Sequence, residues 1–244
     1  MDTNSSNTNE ATGAPAGDRY MTPIALIIGA IIIGGALYFG HGSAPAPQKG
    51  KTAQTAVNIK DVKISNNAYV GNADAPVTIA VWFDYQCPYC KMLDDNTLKQ
   101  VYENYVKEGK VKIVYKDFAF LGPDSDTDAL FARAVWDLYP EHFYEWYQAM
   151  FTKQDKENSG FGDRASVEAL TKTISGIDEA KVSALVDSKK KELEAEITAD
   201  RNEGAKLGIQ GTPSVVVGNQ LLNGVVSYSK LSQIIDSELG AVKK

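Results

Sequence analysis

The sequence predicts an α/β domain over residues 58–244, ordered β-α-β, then a helical insertion at about 125–207, then β-β-α. Three observations predict it. Residues 77–85 (VTIAVWFDY) are an apolar run rich in β-branched and aromatic residues, a helix-like pattern opens directly behind it, and residues 110–116 (KVKIVYK) read as a second strand. From Ser125 to about Leu207 the apolar spacing is helical throughout. The chain then returns to two short runs, 214–217 and 220–223, around a Gly218-Asn219 turn, and closes on a helix.

Taken in order, residues 1–22 hold too little large apolar surface to offset their ordering entropy, and a disordered tail is expected. Residues 23–40 carry no charge. At 1.5 Å per residue they span about 27 Å, close to the hydrocarbon thickness of a bilayer, so a single transmembrane anchor is expected. Tyr20, Tyr38 and Phe39 suit its interfaces. The run exceeds a signal-peptide core and follows an acidic stretch, which favours an uncleaved anchor over a cut after Ala44-Pro45-Ala46. Residues 41–57, rich in Pro, Ala, Gly and Lys, read as a flexible linker.

Within the domain, residues 62–65 are expected as a short edge strand and 66–75 as a loop. Residues 77–85 are the central strand. Residues 87–107 form an amphipathic helix with Leu93, Leu98, Val101, Tyr102 and Tyr105 on its apolar side, ended by Gly109. The next strand alternates, placing Val111, Ile113 and Tyr115 on one face. Strand–helix–strand order implies a parallel pair with a right-handed crossover. In the insertion, Ala129, Ala132, Val135 and Trp136 mark one helix. Phe143, Trp146, Tyr147, Met150 and Phe151 mark another, and their spacing is that of a core stripe. Leu170, Ile174, Val182, Leu185 and Val186 continue the pattern ahead of a long helix at about 191–207. Residues 189–191 are a solvated lysine face, and Ser227 or Ser229 caps the last helix.

The net charge of −6 and a pI near 5.1, with no basic stripe, argue against a nucleic-acid partner. Only two cysteines exist, and both lie in Cys87-Pro88-Tyr89-Cys90. Cys87 falls at the start of the helix, where unpaired N–H groups and the positive end of the macrodipole stabilise a thiolate. Pro88 is tolerated there because its missing N–H would be unpaired anyway. Cys90 follows within reach of the same sulfur. The pair reads as a redox dithiol, with Cys87 the exposed, low-pKa thiol and Cys90 the shielded one. A zinc site needs about four ligands, and only His142 could add a third, since His41 is in the linker. No metal and no cofactor are expected, and no phosphate loop, hydrolase triad or nucleotide fingerprint is present.

Cys-x-x-Cys opening the first helix, with Gly211-Thr212-Pro213 before the later hairpin, resembles the thioredoxin superfamily, and the helical insertion resembles DsbA-like thiol–disulfide oxidoreductases of bacterial envelopes. The stretches that carry it are 71–77 (GNADAPV), 84–90 (DYQCPYC), 120–123 (FLGP) and 206–213 (KLGIQGTP). The resemblance covers about residues 58–240. It implies a thioredoxin fold in which Pro213 is cis and lies against the cysteines, while Thr212, Pro213, Pro88 and Tyr89 receive an extended substrate. It implies a disulfide donor for cysteine-containing unfolded or exported proteins, with Cys87 attacking and Cys90 resolving. A membrane redox partner would reset the dithiol, and residues 23–40 would hold the domain on the extracytoplasmic side of the cell membrane. Two positions depart from the family. The buried acid usual six residues before the first cysteine is Val81 here, and the inner dipeptide Pro88-Tyr89 lacks a histidine. Asp84, nearer the motif, is expected as a solvated carboxylate at a strand end. An envelope reductase or isomerase, and a non-enzymatic membrane-tethered peptide-binding chaperone, are the alternatives.

Overall fold

The computed structural model describes residues 57–242. The expected tail at 1–22, anchor at 23–40 and nearly all of the linker at 41–57 lie outside the described residues. Among the described residues no helix is long and apolar enough to cross a membrane.

Five strands form one mixed sheet in the order β1-β3-β2-β4-β5. β1 is Tyr69–Val70, β2 is Val77–Phe83, β3 is Val111–Asp117, β4 is Ser214–Val217 and β5 is Gln220–Asn223. β2 and β3 are parallel, joined by α1, and every other pairing is antiparallel. Helix α1 covers residues 88–106. Its α-helical parts, Pro88–Leu93 and Lys99–Val101, alternate with π-helical turns at Asp94–Leu98 and Tyr102–Val106. The insertion holds α2 (Pro123–Leu138), α3 (Phe143–Lys153), α4 (Arg164–Thr171) and α5 (Glu179–Lys206). α6 (Tyr228–Val242) closes the chain, with Ser227 accepting at its start from the Lys230 N–H.

β2 carries two cores because neighbouring side chains point to opposite faces. Ile79, Val81 and Phe83 face α1, α6 and the aromatic stripe of α3, while Ala80 and Trp82 face Val57, Val62, Phe118 and Val216. The stripe residues Phe143, Trp146, Tyr147, Met150 and Phe151 are each at most 1% exposed, as core spacing requires.

Three expectations need correction. The edge strand is not at 62–65 but at Tyr69–Val70, inside the expected loop; residues 59–61 make a 3-10 turn instead. Tyr69 and Val70 take that edge because Gly71 (φ +104) turns the chain where any Cβ would meet the Val111 carbonyl at 2.6 Å. The long helix starts at Glu179, not near 191, since Asp178 accepts from the Lys181 N–H and caps it a full three turns earlier. Finally, Val111, Ile113 and Tyr115 do share one core face of β3 as expected, but the alternation is not core against water: Val114 and Lys116 on the other face are buried as well. α5 covers that face, with its Asp200 and Glu203 reaching Lys116.

Lys116 is 1% exposed and satisfied by charge. Its Nζ reaches Asp200 and, at 2.9 Å, Glu203, and also donates to Asn67 Oδ1 and the Lys63 carbonyl. Arg133 of α2 completes the cluster, pairing with Asp117 at 2.6 Å, Asp200 at 2.7 Å and Glu196 at 2.9 Å. This network fastens β3 to the insertion and to α5.

Candidate active site

Cys87 and Cys90 meet where β2 ends and α1 begins. Cys87 is the N-cap of α1, its carbonyl accepting from the N–H groups of Cys90 and Lys91 at 3.0 and 3.2 Å. Pro88 occupies the first helical position. Within this first turn the backbone N–H groups of Tyr89 and Cys90 act on the Cys87 sulfur.

Both thiols are free, and their surroundings drive them apart. The Cys90 thiol, donating to the Cys87 sulfur, is the largest influence in bringing Cys87 down from 9.0 to about 6. Burial opposes this; the Thr212 side chain and the N–H groups of Cys90 and Tyr89 add to the lowering. Cys90 moves well above 9.0, chiefly through burial, then through the same bond to Cys87 and the charge of that sulfur. The expectation of an exposed Cys87 is corrected: it is 4% exposed, against 2% for Cys90. The segment before β4 covers it, with the Thr212 carbonyl 3.7 Å from its sulfur.

The Thr212–Pro213 peptide bond is cis, and Pro213 is buried. The Thr212 hydroxyl is buried with no partner at ordinary hydrogen-bond distance, and it draws both thiols downward. It is a donor left for the sulfurs. Pro88 and Tyr89 are exposed, Tyr89 by 60%, and with Met92 (45%) and Phe120 (43%) they make an apolar rim around the motif. All six residues expected at the site, Cys87, Cys90, Thr212, Pro213, Pro88 and Tyr89, belong to this one corner.

Val81 lies in the centre of β2, paired with Tyr115 and Val215, and brings no acid to it. Asp84 contradicts its expected role. It is 2% exposed, and its carboxylate accepts four bonds: from Ser125 Oγ (2.7 Å) and the N–H groups of Gln86 (2.8 Å), Phe120 (3.0 Å) and Leu121 (3.3 Å). The strand end is not wet because the entry to the insertion folds back over it. Burial raises its pKa while the four donors oppose that rise. Its own N–H reaches the Cys90 sulfur at 3.5 Å, so this carboxylate fixes the turn that carries both thiols.

The insertion adds further supports that no local signal marks. Gln154, 67 residues from Cys87, donates to the Cys87 carbonyl at 3.1 Å and to that of Tyr85. Lys91 Nζ donates to the Phe151 carbonyl. Gln86 donates to Asp128 Oδ2 at 2.8 Å and to the Phe161 carbonyl at 3.2 Å. Gly162 (φ +126) permits this, since a Cβ there would sit 2.3 Å from the Gln86 amide nitrogen. Among the described residues no cluster of three or more His, Cys, Asp or Glu side chains could hold a metal ion. His142 packs instead against Gly176 and Glu141.

A thiol ionised near neutral pH, bonded to a neighbour held protonated, can form, break and pass on a disulfide. The comparisons agree with that chemistry. The chain is 26% identical over 176 residues to disulfide bond formation protein D of Bacillus subtilis, covering 72% of this chain and 78% of that one. The oxidised crystal structure of BdbD from Bacillus subtilis superimposes with a TM-score of 0.67 at 25% identity, over 73% of this chain and 95% of the other. The thiol–disulfide exchange protein α-DsbA2 of Wolbachia pipientis gives a TM-score of 0.65 at 26% identity, over 73% and 90%. The family described as thioredoxin matches residues 63–237. With the helical insertion and the paired thiols in place, the chain belongs to the thioredoxin family, as a DsbA-like thiol–disulfide oxidoreductase.

Proposed function

We propose that this oxidoreductase donates disulfides to cysteine-containing exported proteins from the extracytoplasmic side of the cell membrane, tethered through residues 23–40. A substrate thiolate attacks Cys87 of the oxidised pair, and Cys90 departs. The second substrate thiol then displaces Cys87 and carries the disulfide away. Thr212 and Pro213 form the ledge for the extended substrate, with Pro88 and Tyr89 at its rim, and a membrane redox partner reoxidises the dithiol.

The observation that carries this reading is the lowered pKa of Cys87. A thiol moved from 9.0 to about 6 is mostly ionised at pH 7. That stabilises the reduced enzyme by about 1.4 kcal/mol, or about 30 mV towards oxidising power. Cys90 contributes nothing of the kind, being protonated at pH 7 in either state. With one such contribution and no histidine in the motif, the potential should fall between about −270 mV, typical of thioredoxin, and about −120 mV, that of the strongest oxidant of this type. Equilibration against glutathione buffers measures it. A value below about −270 mV would make the protein a reductant.

A further inference from the structure

Cys87 closes a hydrogen-bonded turn that begins at Asp84, whose carbonyl accepts from the Cys87 N–H at 3.1 Å. The two residues inside that turn, Tyr85 and Gln86, are 4% and 1% exposed, and the insertion grips both. The Tyr85 ring lies against Trp146, Tyr147 and Phe151 of α3, at 5.6, 6.0 and 5.5 Å between centroids. Gln86 gives its amide to Asp128 and the Phe161 carbonyl, and its oxygen accepts from the Asn158 N–H at 3.3 Å. The backbone of the turn is held by a different side chain.

Gln154 is the first residue beyond α3. Its N–H still donates to the Met150 carbonyl at 2.9 Å, while its ψ of 125° takes the chain out of the helix. Met150 and Phe151 behind it are each 1% exposed, so the core fixes where its side chain starts. The Gln154 amide nitrogen donates to two carbonyls of the turn, those of Tyr85 and Cys87, the second at 3.1 Å. Lys91 Nζ, one helical turn after Cys87, returns to the Phe151 carbonyl, so the end of α3 and the start of α1 are joined in both directions. The Cys87 carbonyl thus takes three donors: the N–H groups of Cys90 and Lys91, and Gln154. The N–H groups of Tyr89 and Cys90 keep their aim at the sulfur only while the Cys87 peptide keeps its place. The Gln154 amide also sets partial positive charge against the carbonyl of the residue whose sulfur ionises. Both effects favour the charged form.

We propose that Gln154 is a positioning residue of the dithiol: by bridging the Tyr85 and Cys87 carbonyls it locks the sulfur-bearing turn to the end of α3, so that the insertion sets part of the redox potential. Gln154 acts through the backbone and makes or breaks no bond in the exchange. The Cys87–Cys90 disulfide carries no charge, so the bridge stabilises the reduced form more than the oxidised one. This rests on Cys87 being the thiol that ionises and meets the substrate.

The test uses the full-length protein and two variants. Gln154→Met keeps the length of the side chain without a donor, and Gln154→Asn keeps the amide on a stem one methylene shorter. Iodoacetamide alkylation against pH gives the Cys87 midpoint, with the modified cysteine identified by mass spectrometry. Glutathione buffers give the potential, and urea unfolding gives the stability of the oxidised and reduced forms. Gln154→Met should raise the midpoint from about 6 to about 7, the worth of one ordinary hydrogen bond. At pH 7 that change disfavours the reduced form about fivefold, or about 20 mV towards reducing power. The reduced protein should accordingly lose about fivefold more of its folding constant than the oxidised protein, and Gln154→Asn should fall between Gln154→Met and the parent. A purely structural role would weaken both redox forms alike and leave midpoint and potential in place. That result, or an unmoved midpoint in Gln154→Met, would overturn the proposal; if Gln154→Met does not fold, the same comparison in Gln154→Asn decides it. Failure of the underlying assignment reads differently, because Cys90 would then be the cysteine alkylated first in the parent.

Discussion

Cys87 and Cys90 stand three positions apart, and the fold asks opposite things of them. Cys87 receives donors from the helix start, from Cys90 and from Thr212, so its charge is welcome; Cys90 loses its water and gains few partners. Under the proposed roles, Cys90→Ala should accumulate mixed disulfides with substrates and Cys87→Ala should accumulate none, as non-reducing gels would show. Trapping through Cys90 alone would reverse the assignment. Asp84 belongs to the same scale. Its alanine variant leaves four donors at a buried turn without an acceptor, and each orphaned group costs about 1–3 kcal/mol before relaxation. We expect a net loss of about 3 kcal/mol by denaturant unfolding, together with a higher Cys87 alkylation midpoint because the turn that aims both sulfurs is freed. The residue reads as solvated in sequence because polar groups at strand ends usually are. Nothing local announces that Phe120, Leu121 and Ser125 return to cover it.

Among the elements, those with short-range signals were legible. The apolar run of β2, the helix behind it, and the β4–β5 hairpin at Gly218-Asn219 all follow from local pattern and turn chemistry, and the hairpin falls at the expected residues. Two-residue β1 carries no pattern of its own and exists only through pairing with Val114 and Ile113. Gln154 is similar, since only the insertion's fold brings it to Cys87. Lys116 misleads for a different reason: an alternating strand with a terminal lysine normally turns that lysine to water. Here Asp200 and Glu203 on α5 make burial tolerable. Arg133 pairs with three carboxylates in that layer, and Arg133→Met would leave buried Asp117 without its direct cation, at about 3–5 kcal/mol. Asp117 gives the layer a pH signature. Burial raises it to about 6, although Arg133 opposes the rise. The folded state thus holds this proton more tightly than the unfolded chain, so its contribution to stability is present at low pH and is lost as pH rises from about 4 through 6. Asp117→Asn lacks that fall. Its deficit against the parent should therefore be larger near pH 4 than near pH 7 in chemical denaturation, and an unchanged deficit would refute the assignment.

For the whole molecule, the described residues form a catalytic body whose sheet is covered on both faces by its own helices and loops, with the cysteines at one corner. The case for a membrane tether is carried by residues 23–40 alone, eighteen positions without a charge, joined to the domain by a Pro, Ala, Gly and Lys linker. Tethering and catalysis should then separate cleanly. The full chain should stay with the membrane pellet through an alkaline carbonate wash, whereas a version beginning near Thr52 should be recovered soluble, with the same alkylation midpoint for Cys87 and the same reduction potential. Release of the full chain by carbonate, or a mature protein whose first residue is Pro47, would show that the apolar run is a leader and not an anchor. A truncated form with an altered potential would show instead that the segment before Thr52 takes part in the chemistry.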